Sequence, residues 1–208
     1  MNLAGVALGP LDDNHRDGDE FHWEPSSLVW VNDEILRRTG GTWSELPATI
    51  EPTQRDVWRC RRFLWNFGGS RLASFKDPRT CVTYPVWKRV LPAHSLVVCI
   101  RHPLNVARSL ARREGWSLQR GLNLWRDYNL HLTRHIEQAS SLYWFDFDRG
   151  RDALAALIGH VADDFGLPPP TDDVLDSYEE SARRHREEGE LPADVAELYQ
   201  SLKTRCAL

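Results

Sequence analysis

Two residues carry the clearest chemistry in this chain, Arg101 and Ser109. Arg101 stands directly after the continuous apolar run Ser95-Leu-Val-Val-Cys-Ile100, and Pro103 then opens a helical segment. In an open α/β sheet, ligands gather at the carboxyl ends of strands. A helix that starts there offers N–H groups and positive dipole potential to an anion. The planar guanidinium fork suits a phosphate. Ser109, eight residues further on, can add its hydroxyl if the helix faces the same anion. The bland reading fits these residues equally well: a salt-bridging surface arginine and a small packing serine. His102 can touch the anion or cap the helix.

Other charged or metal-ligating residues carry less. His131 and His135 are four apart, but the residues between them lack the Glu of a zinc-protease helix and no third ligand is evident. They read as a solvated helix face, and no metal is expected. Arg183-Arg184-His185-Arg186 followed by Glu187-Glu188 is mixed in charge and reads as another solvated helix.

The elements that would position Arg101 follow from pattern. Ser95–Ile100 is apolar without alternation, as in a strand covered on both faces. Residues 104–114 are helical, with Pro103 suited to the first turn. Ser117 is an N-cap for a long helix reaching about residue 138, with Leu118, Leu122, Trp125, Leu132 and Ile136 on one face. Leu142–Phe147 is a second strand, and 151–165 a helix stopped by Gly166 and three prolines. Upstream, 1–10 reads as the tail of a helix ending at Gly9-Pro10, and 27–38 as a helix. Residues 53–66 form a helix whose exposed side carries Arg55, Arg59, Arg61 and Arg62. A short strand at 71–75 leads into Lys76-Asp77-Pro78-Arg79, and 79–90 is a short helix interrupted at Pro85. A charged helix over 173–190 and a short one over 193–203 form a tail packed on the rest. The strand–helix alternation predicts an α/β fold with a parallel sheet.

Composition bounds the answer further. With 208 residues, one domain with a real core is expected. The net charge of −4 gives no global basic field for nucleic acid or an anionic membrane, so basic clusters are judged locally. Cys60, Cys81, Cys99 and Cys206 form no CxxC and no zinc-ligand spacing, and read as reduced thiols, with Cys99 in a buried strand. Met1–Pro10 has no cationic start, and no apolar run reaches the ~20 residues that cross a bilayer. A soluble, cytoplasmic protein is expected.

Arg101-His102-Pro103-Leu104-Asn105-Val106-Ala107-Arg108-Ser109 resembles the 3′-phosphate-binding motif of the sulfotransferase family, with Arg ending a strand and Ser in the next helix. Gly5–Gly9, Phe21-His22-Trp23-Glu24, Asn32-Asp33, Gly40–Trp43, Lys76–Arg79, Leu122–Asn129 and Leu191-Pro192 resemble bacterial members in order and spacing. The likeness spans nearly the whole chain. It implies a P-loop-like three-layer α/β fold with a central parallel sheet. It also implies sulfuryl transfer from 3′-phosphoadenosine 5′-phosphosulfate to a hydroxyl or amine of a carbohydrate or small metabolite, without metal. By the same resemblance, Arg101 and Ser109 hold the 3′-phosphate. Lys76 can neutralise the bridging oxygen of the leaving phosphate, or be an ordinary surface lysine. Glu24 resembles the base of the carbohydrate-modifying branch, with a solvated loop carboxylate as its bland reading. Asp77 is the second choice of base. The cytosolic type carries a His two residues after a Lys, where Pro78 stands here.

The family's Gly/Ser/Thr-rich phosphosulfate loop has no counterpart in this sequence. Gly68-Gly69-Ser70 precedes a strand instead of following one. Met1–Val6 resembles the end of the helix that follows the loop, so a start further upstream is expected, with truncation as the alternative. A truncated, inactive nucleotide-binding remnant or scaffold is the rival reading. A small-molecule kinase is disfavoured by the lack of GxxxxGK[ST] and of paired Mg²⁺ carboxylates.

Overall fold

The structure is a computed structural model, and it describes residues 6–8, 16–17, 20–21, 24–169, 171–172, 175 and 189–206. It is a mixed α/β protein with seven α-helices among the described residues. The chain divides into two compact units, Met1–Ala93 with His131–His135, and His94–Leu130 with Ile136–Leu208.

In the first unit, β1 (Ala7–Leu8) pairs in parallel with β4 (Ala73–Ser74), and β2 (Arg16–Asp17) pairs antiparallel with β3 (Glu20–Phe21). The strand at Ala7–Leu8 corrects the expected helix tail at those two residues, and 1–5 and 9–10 lie outside the described residues. Local signals favoured a helix stop at Gly9-Pro10, but pairing with a segment more than sixty residues away decides the backbone here.

Helix α1 (Ser26–Arg38) buries Leu28, Val31, Ile35 and Leu36, the spacing of one helix face. Helix α2 (Gln54–Leu64) starts on a reciprocal cap. Thr53 Oγ1 accepts from the Asp56 N–H, and the Asp56 carboxylate accepts from the Thr53 N–H. Its inner face buries Val57, Cys60 and Phe63, and continues as a 3₁₀ turn over Trp65–Phe67. Arg59 is buried, not on the exposed side as its charge suggested. It faces Glu34 at 2.8 Å and Asp56 at 3.4 Å, so paired carboxylates offset its desolvation.

Helix α3 (Thr80–Trp87) runs through Pro85 instead of breaking there. The ladder continues past the proline, with Lys88 N–H donating to Tyr84 O at 2.9 Å. Trp87 ends the helix fully buried, and Phe63 and Phe75 pack against it at centroid distances of 5.6 and 5.0 Å. Such aromatic pairs add about 1 kcal/mol each beyond their area.

In the second unit, β5 (Ser95–Ile100) pairs in parallel with β6 (Ser141–Asp146), from Ser95 opposite Ser141 to Ile100 opposite Asp146. Parallel neighbours need a crossover, and α4 (Pro103–Glu114) and α5 (Leu118–His135) lie between the two strands in sequence. Ser117 caps α5 as expected, accepting from the Arg120 N–H at 3.3 Å. The uniform apolar run of β5 suggested cover on both faces. The structure corrects this: Val98 and Ile100 are buried, whereas Val97 and Cys99 are exposed. Apolar composition cannot say which face of a short strand is covered.

Gly121 lets α5 approach α4. A Cβ there would lie 2.7 Å from the Ala107 Cα and 2.9 Å from its Cβ. Gly121→Ala is therefore expected to destabilise the protein by about 2 kcal/mol, as overpacking against backbone does. The urea midpoint checks this.

Helix α6 (Arg151–Phe165) follows β6, and α7 (Ala193–Arg205) buries Val195, Tyr199 and Leu202. The charged helix expected over 173–190 lies almost wholly outside the described residues. His131 is buried, which corrects the expected solvated face of α5 at that position. Among the described residues, no helix is long and apolar enough to cross a membrane. The four cysteines are free. Burial pushes the Cys60 and Cys81 thiols up to about 12 and Cys206 to about 11, so these three are poor nucleophiles at neutral pH.

Candidate functional site

The strand-end arginine is held as a ligand residue would be held. Arg101 leaves the end of β5 with its guanidinium over the Phe147 ring, 4.5 Å from the centroid. Its backbone carbonyl accepts from Trp125 Nε1 at 3.2 Å, which fixes the turn to α5. Its Nε and Nη2 atoms are both buried and have no hydrogen-bond partner among the described residues. Buried charged donors without acceptors are costly and rare, so each calls for an explanation. An anion received by the fork is the simplest one.

The turn around Arg101 is built by residues from two directions. His102 N–H donates to Asp148 Oδ2 at 2.6 Å, and Asp148 follows β6. His102 Nδ1 accepts from the Leu104 N–H at 3.3 Å, so this histidine caps α4. Burial lowers the pKa of His102, and Asp148 opposes that shift. The neutral ring is the form that can accept, so the shift and the cap agree. The Asn105 N–H is taken by the His102 carbonyl at 3.0 Å. With these groups engaged, the first turn of α4 offers fewer free N–H donors than an uncapped helix would. An anion at this turn would therefore have to be received mainly by side chains.

Asn105 was not singled out in the sequence, yet it lies between Arg101 and Ser109. It is buried, donates to Asp148 Oδ1 at 3.4 Å, and leaves its own Oδ1 buried without a partner among the described residues. Ser109 is one turn beyond Asn105 on α4 and half-buried. A polar residue at the midpoint of the Arg101–Ser109 interval was the available signal. Asp148 carried none, because only the parallel β5–β6 pairing brings it to this turn.

Glu24, Lys76 and Asp77 meet in the first unit. Lys76 Nζ lies 2.8 Å from Glu24 Oε1. Arg79 Nη1 is 3.6 Å from Glu24 Oε2 and 3.0 Å from Asp77 Oδ1, while its Nε is 2.8 Å from Asp33. Burial raises the Asp33 pKa, against the pull of Arg79. Asp77 is buried and accepts from Asn32 Nδ2 at 2.9 Å and from the Arg79 N–H at 2.9 Å. Its oxygens are thus engaged, whereas among the described residues Glu24 Oε2 has no partner closer than the Arg79 contact. Of the two carboxylates, Glu24 has the freer oxygen for taking a proton, and Asp77 holds the turn that carries Lys76.

Arg79 and Asn32 are the members of this cluster that sequence reasoning left without a role. Their signal was proximity in sequence to Lys76 for one and a lone Asn on an apolar helix face for the other. Among the described residues, no group of three or more His, Cys, Asp or Glu side chains is gathered to hold a metal. Compared with known proteins, the chain matches no family model, no curated protein and no solved structure.

Proposed function

We propose that this protein is a sulfotransferase of the P-loop-like α/β kind. It would move a sulfuryl group from 3′-phosphoadenosine 5′-phosphosulfate to a hydroxyl or amine of a carbohydrate or small metabolite. One observation carries the reading: the buried Nε and Nη2 of Arg101, without a hydrogen-bond partner among the described residues, at the end of a parallel strand. That is the need a phosphate would fill at the place where α/β sheets bind ligands. The resemblance of residues 101–109 to the 3′-phosphate motif names the phosphate.

The roles divide by chemistry. Arg101 and Ser109 bind the 3′-phosphate, with Asp148 and His102 fixing the backbone of the turn. Transfer joins the acceptor oxygen or nitrogen to sulfur while the bond from sulfur to the bridging phosphate oxygen breaks. Glu24 takes the acceptor proton, and Lys76 offers positive charge to the departing phosphate. The bound bisphosphate leaves as product.

Calorimetric titration of the full chain with adenosine 3′,5′-bisphosphate tests the binding half, and absence of binding by the folded chain overturns it. The transfer half rests on Glu24. Glu24→Gln keeps the shape but cannot accept the proton. It is expected to lower transfer from the sulfate donor by at least about 100-fold, with bisphosphate affinity unchanged. Binding by the native chain without any transfer would favour the rival reading, a nucleotide-binding remnant.

A further inference from the structure

The outward face of α2 has no part in this chemistry, yet its composition is unusual for a solvent-facing surface. Trp58 is 58% exposed and Trp65 is 85% exposed. Arg55, Arg61 and Arg62 are exposed around them. At 100° per residue, these five residues fall on one arc of the helix and its 3₁₀ extension, opposite Val57, Cys60 and Phe63. Over seven residues the two indoles are separated by roughly 10 Å along the axis. Trp30 on α1, 55% exposed, adds a third ring beneath Arg59.

The charge on this face is one-sided. The sole acid of α2, Asp56, is buried on the inner side and taken by Arg38 and Arg59. Arg62 lies over the Trp58 ring at 5.6 Å, so ring and cation are presented together. The protein as a whole is acidic, at −4, so the attraction is local and would orient this face toward a partner. The helix itself is anchored from within, with Phe63 against Phe67, Phe75 and Trp87.

We infer that the outward face of α2 docks on the surface of an anionic lipid bilayer. Tryptophan is the residue that settles at the level of lipid headgroups. Arginines beside it gain from the negative potential of an anionic leaflet. The face is the convex side of a rigid helix, which meets a broad surface. A nucleic-acid strand is instead bound in a basic groove that tracks its backbone. The association is peripheral and reversible, and it requires no spanning segment.

The test is co-sedimentation of the full chain with vesicles of phosphatidylcholine alone and of phosphatidylcholine with phosphatidylserine. Binding to the anionic vesicles is expected, weakening as salt is raised. Arg55→Gln/Arg61→Gln/Arg62→Gln should reduce it on the order of 100-fold, and Trp58→Ala/Trp65→Ala should also reduce it strongly. All five side chains are exposed, so both variants should melt as the native chain does, and the single variant Trp65→Ala serves if the double one does not. Failure of the native chain to bind anionic vesicles overturns the inference. So does equal binding by folded variants, or equal binding to uncharged vesicles. Capture of a single-stranded oligonucleotide through the same residues, with no vesicle binding, overturns it in favour of nucleic acid.

Discussion

Arg101→Ala is expected to weaken adenosine 3′,5′-bisphosphate binding on the order of 100-fold while leaving the melting temperature nearly unchanged. The two halves of this expectation have one cause. In the folded chain, Nε and Nη2 of Arg101 are out of solvent with no hydrogen-bond partner among the described residues, so the guanidinium carries a desolvation cost that no hydrogen bond there offsets. What the arginine gives to stability is its stacking on Phe147, about 1 kcal/mol. Truncation removes both together with the packing of the aliphatic stem, and these terms oppose one another. The ligand is what repays the buried donors. Two charge-assisted hydrogen bonds, each at the low end of 1.5–3 kcal/mol, total about 3 kcal/mol, or roughly 150-fold in affinity. Arg101→Lys keeps the charge but not the planar fork and should recover only part of the loss. A purely structural arginine would behave in the opposite way, with a lower melting temperature and no effect on the bisphosphate. Calorimetry and thermal unfolding of the same variant therefore decide between the two readings.

How much of this was legible in the sequence depends on the range of the interactions involved. The β5–turn–α4 unit was readable because its signals are contiguous: an apolar run, Arg101, and a proline at the first helical turn. Ser117 announced α5 for the same reason. Signals failed where a distant partner decides the outcome. Ala7–Leu8 became a strand because Ala73–Ser74 is available to pair with it. Arg59 went inside because Glu34 and Asp56 wait there. His102 was left open between anion contact and capping, and Asp148, just beyond the far strand, helps set its neighbourhood. At the candidate sites, residue types pointed to Arg101, Lys76 and Glu24, which bear charge in suggestive places. The residues that build their surroundings, Asn105 and Asp148 around the Arg101 turn and Arg79 and Asn32 around Asp77, are recognisable only once the chain has folded. Sequence distance hides them: Asn32 and Asp77 are 45 residues apart and 2.9 Å from contact to contact.

Asn32 supports the largest predicted loss of stability. Its side chain is fully buried and saturated. Nδ2 donates to Asp77 Oδ2 at 2.9 Å and to Thr80 Oγ1 at 3.3 Å, while Oδ1 accepts from Thr83 Oγ1 at 2.7 Å and Trp87 Nε1 at 2.8 Å. An amide has two donor hydrogens and two acceptor lone pairs, so nothing is left over. In Asn32→Ala, Thr83 keeps its bond to the Arg79 carbonyl at 3.2 Å, but the buried Trp87 indole has no other partner among the described residues and Asp77 loses a donor. An orphaned indole costs about 2 kcal/mol, and a lost bond to a carboxylate about as much again. The expected loss is therefore about 4 kcal/mol in urea unfolding followed by circular dichroism. Asn32→Asp separates the polar network from simple volume. It places a second buried carboxylate against Asp77, so one of the two must hold its proton well above the ordinary range. A carboxyl whose folded pKa is raised contributes stability at low pH and loses it as pH rises through that pKa. The aspartate variant should therefore be weakest at neutral pH and regain stability on acidification, a recovery the alanine variant cannot show. A loss below about 1 kcal/mol in Asn32→Ala would mean that the network is ornamental. In that case the Asp77–Arg79 contacts alone would fix the turn that carries Lys76 toward Glu24.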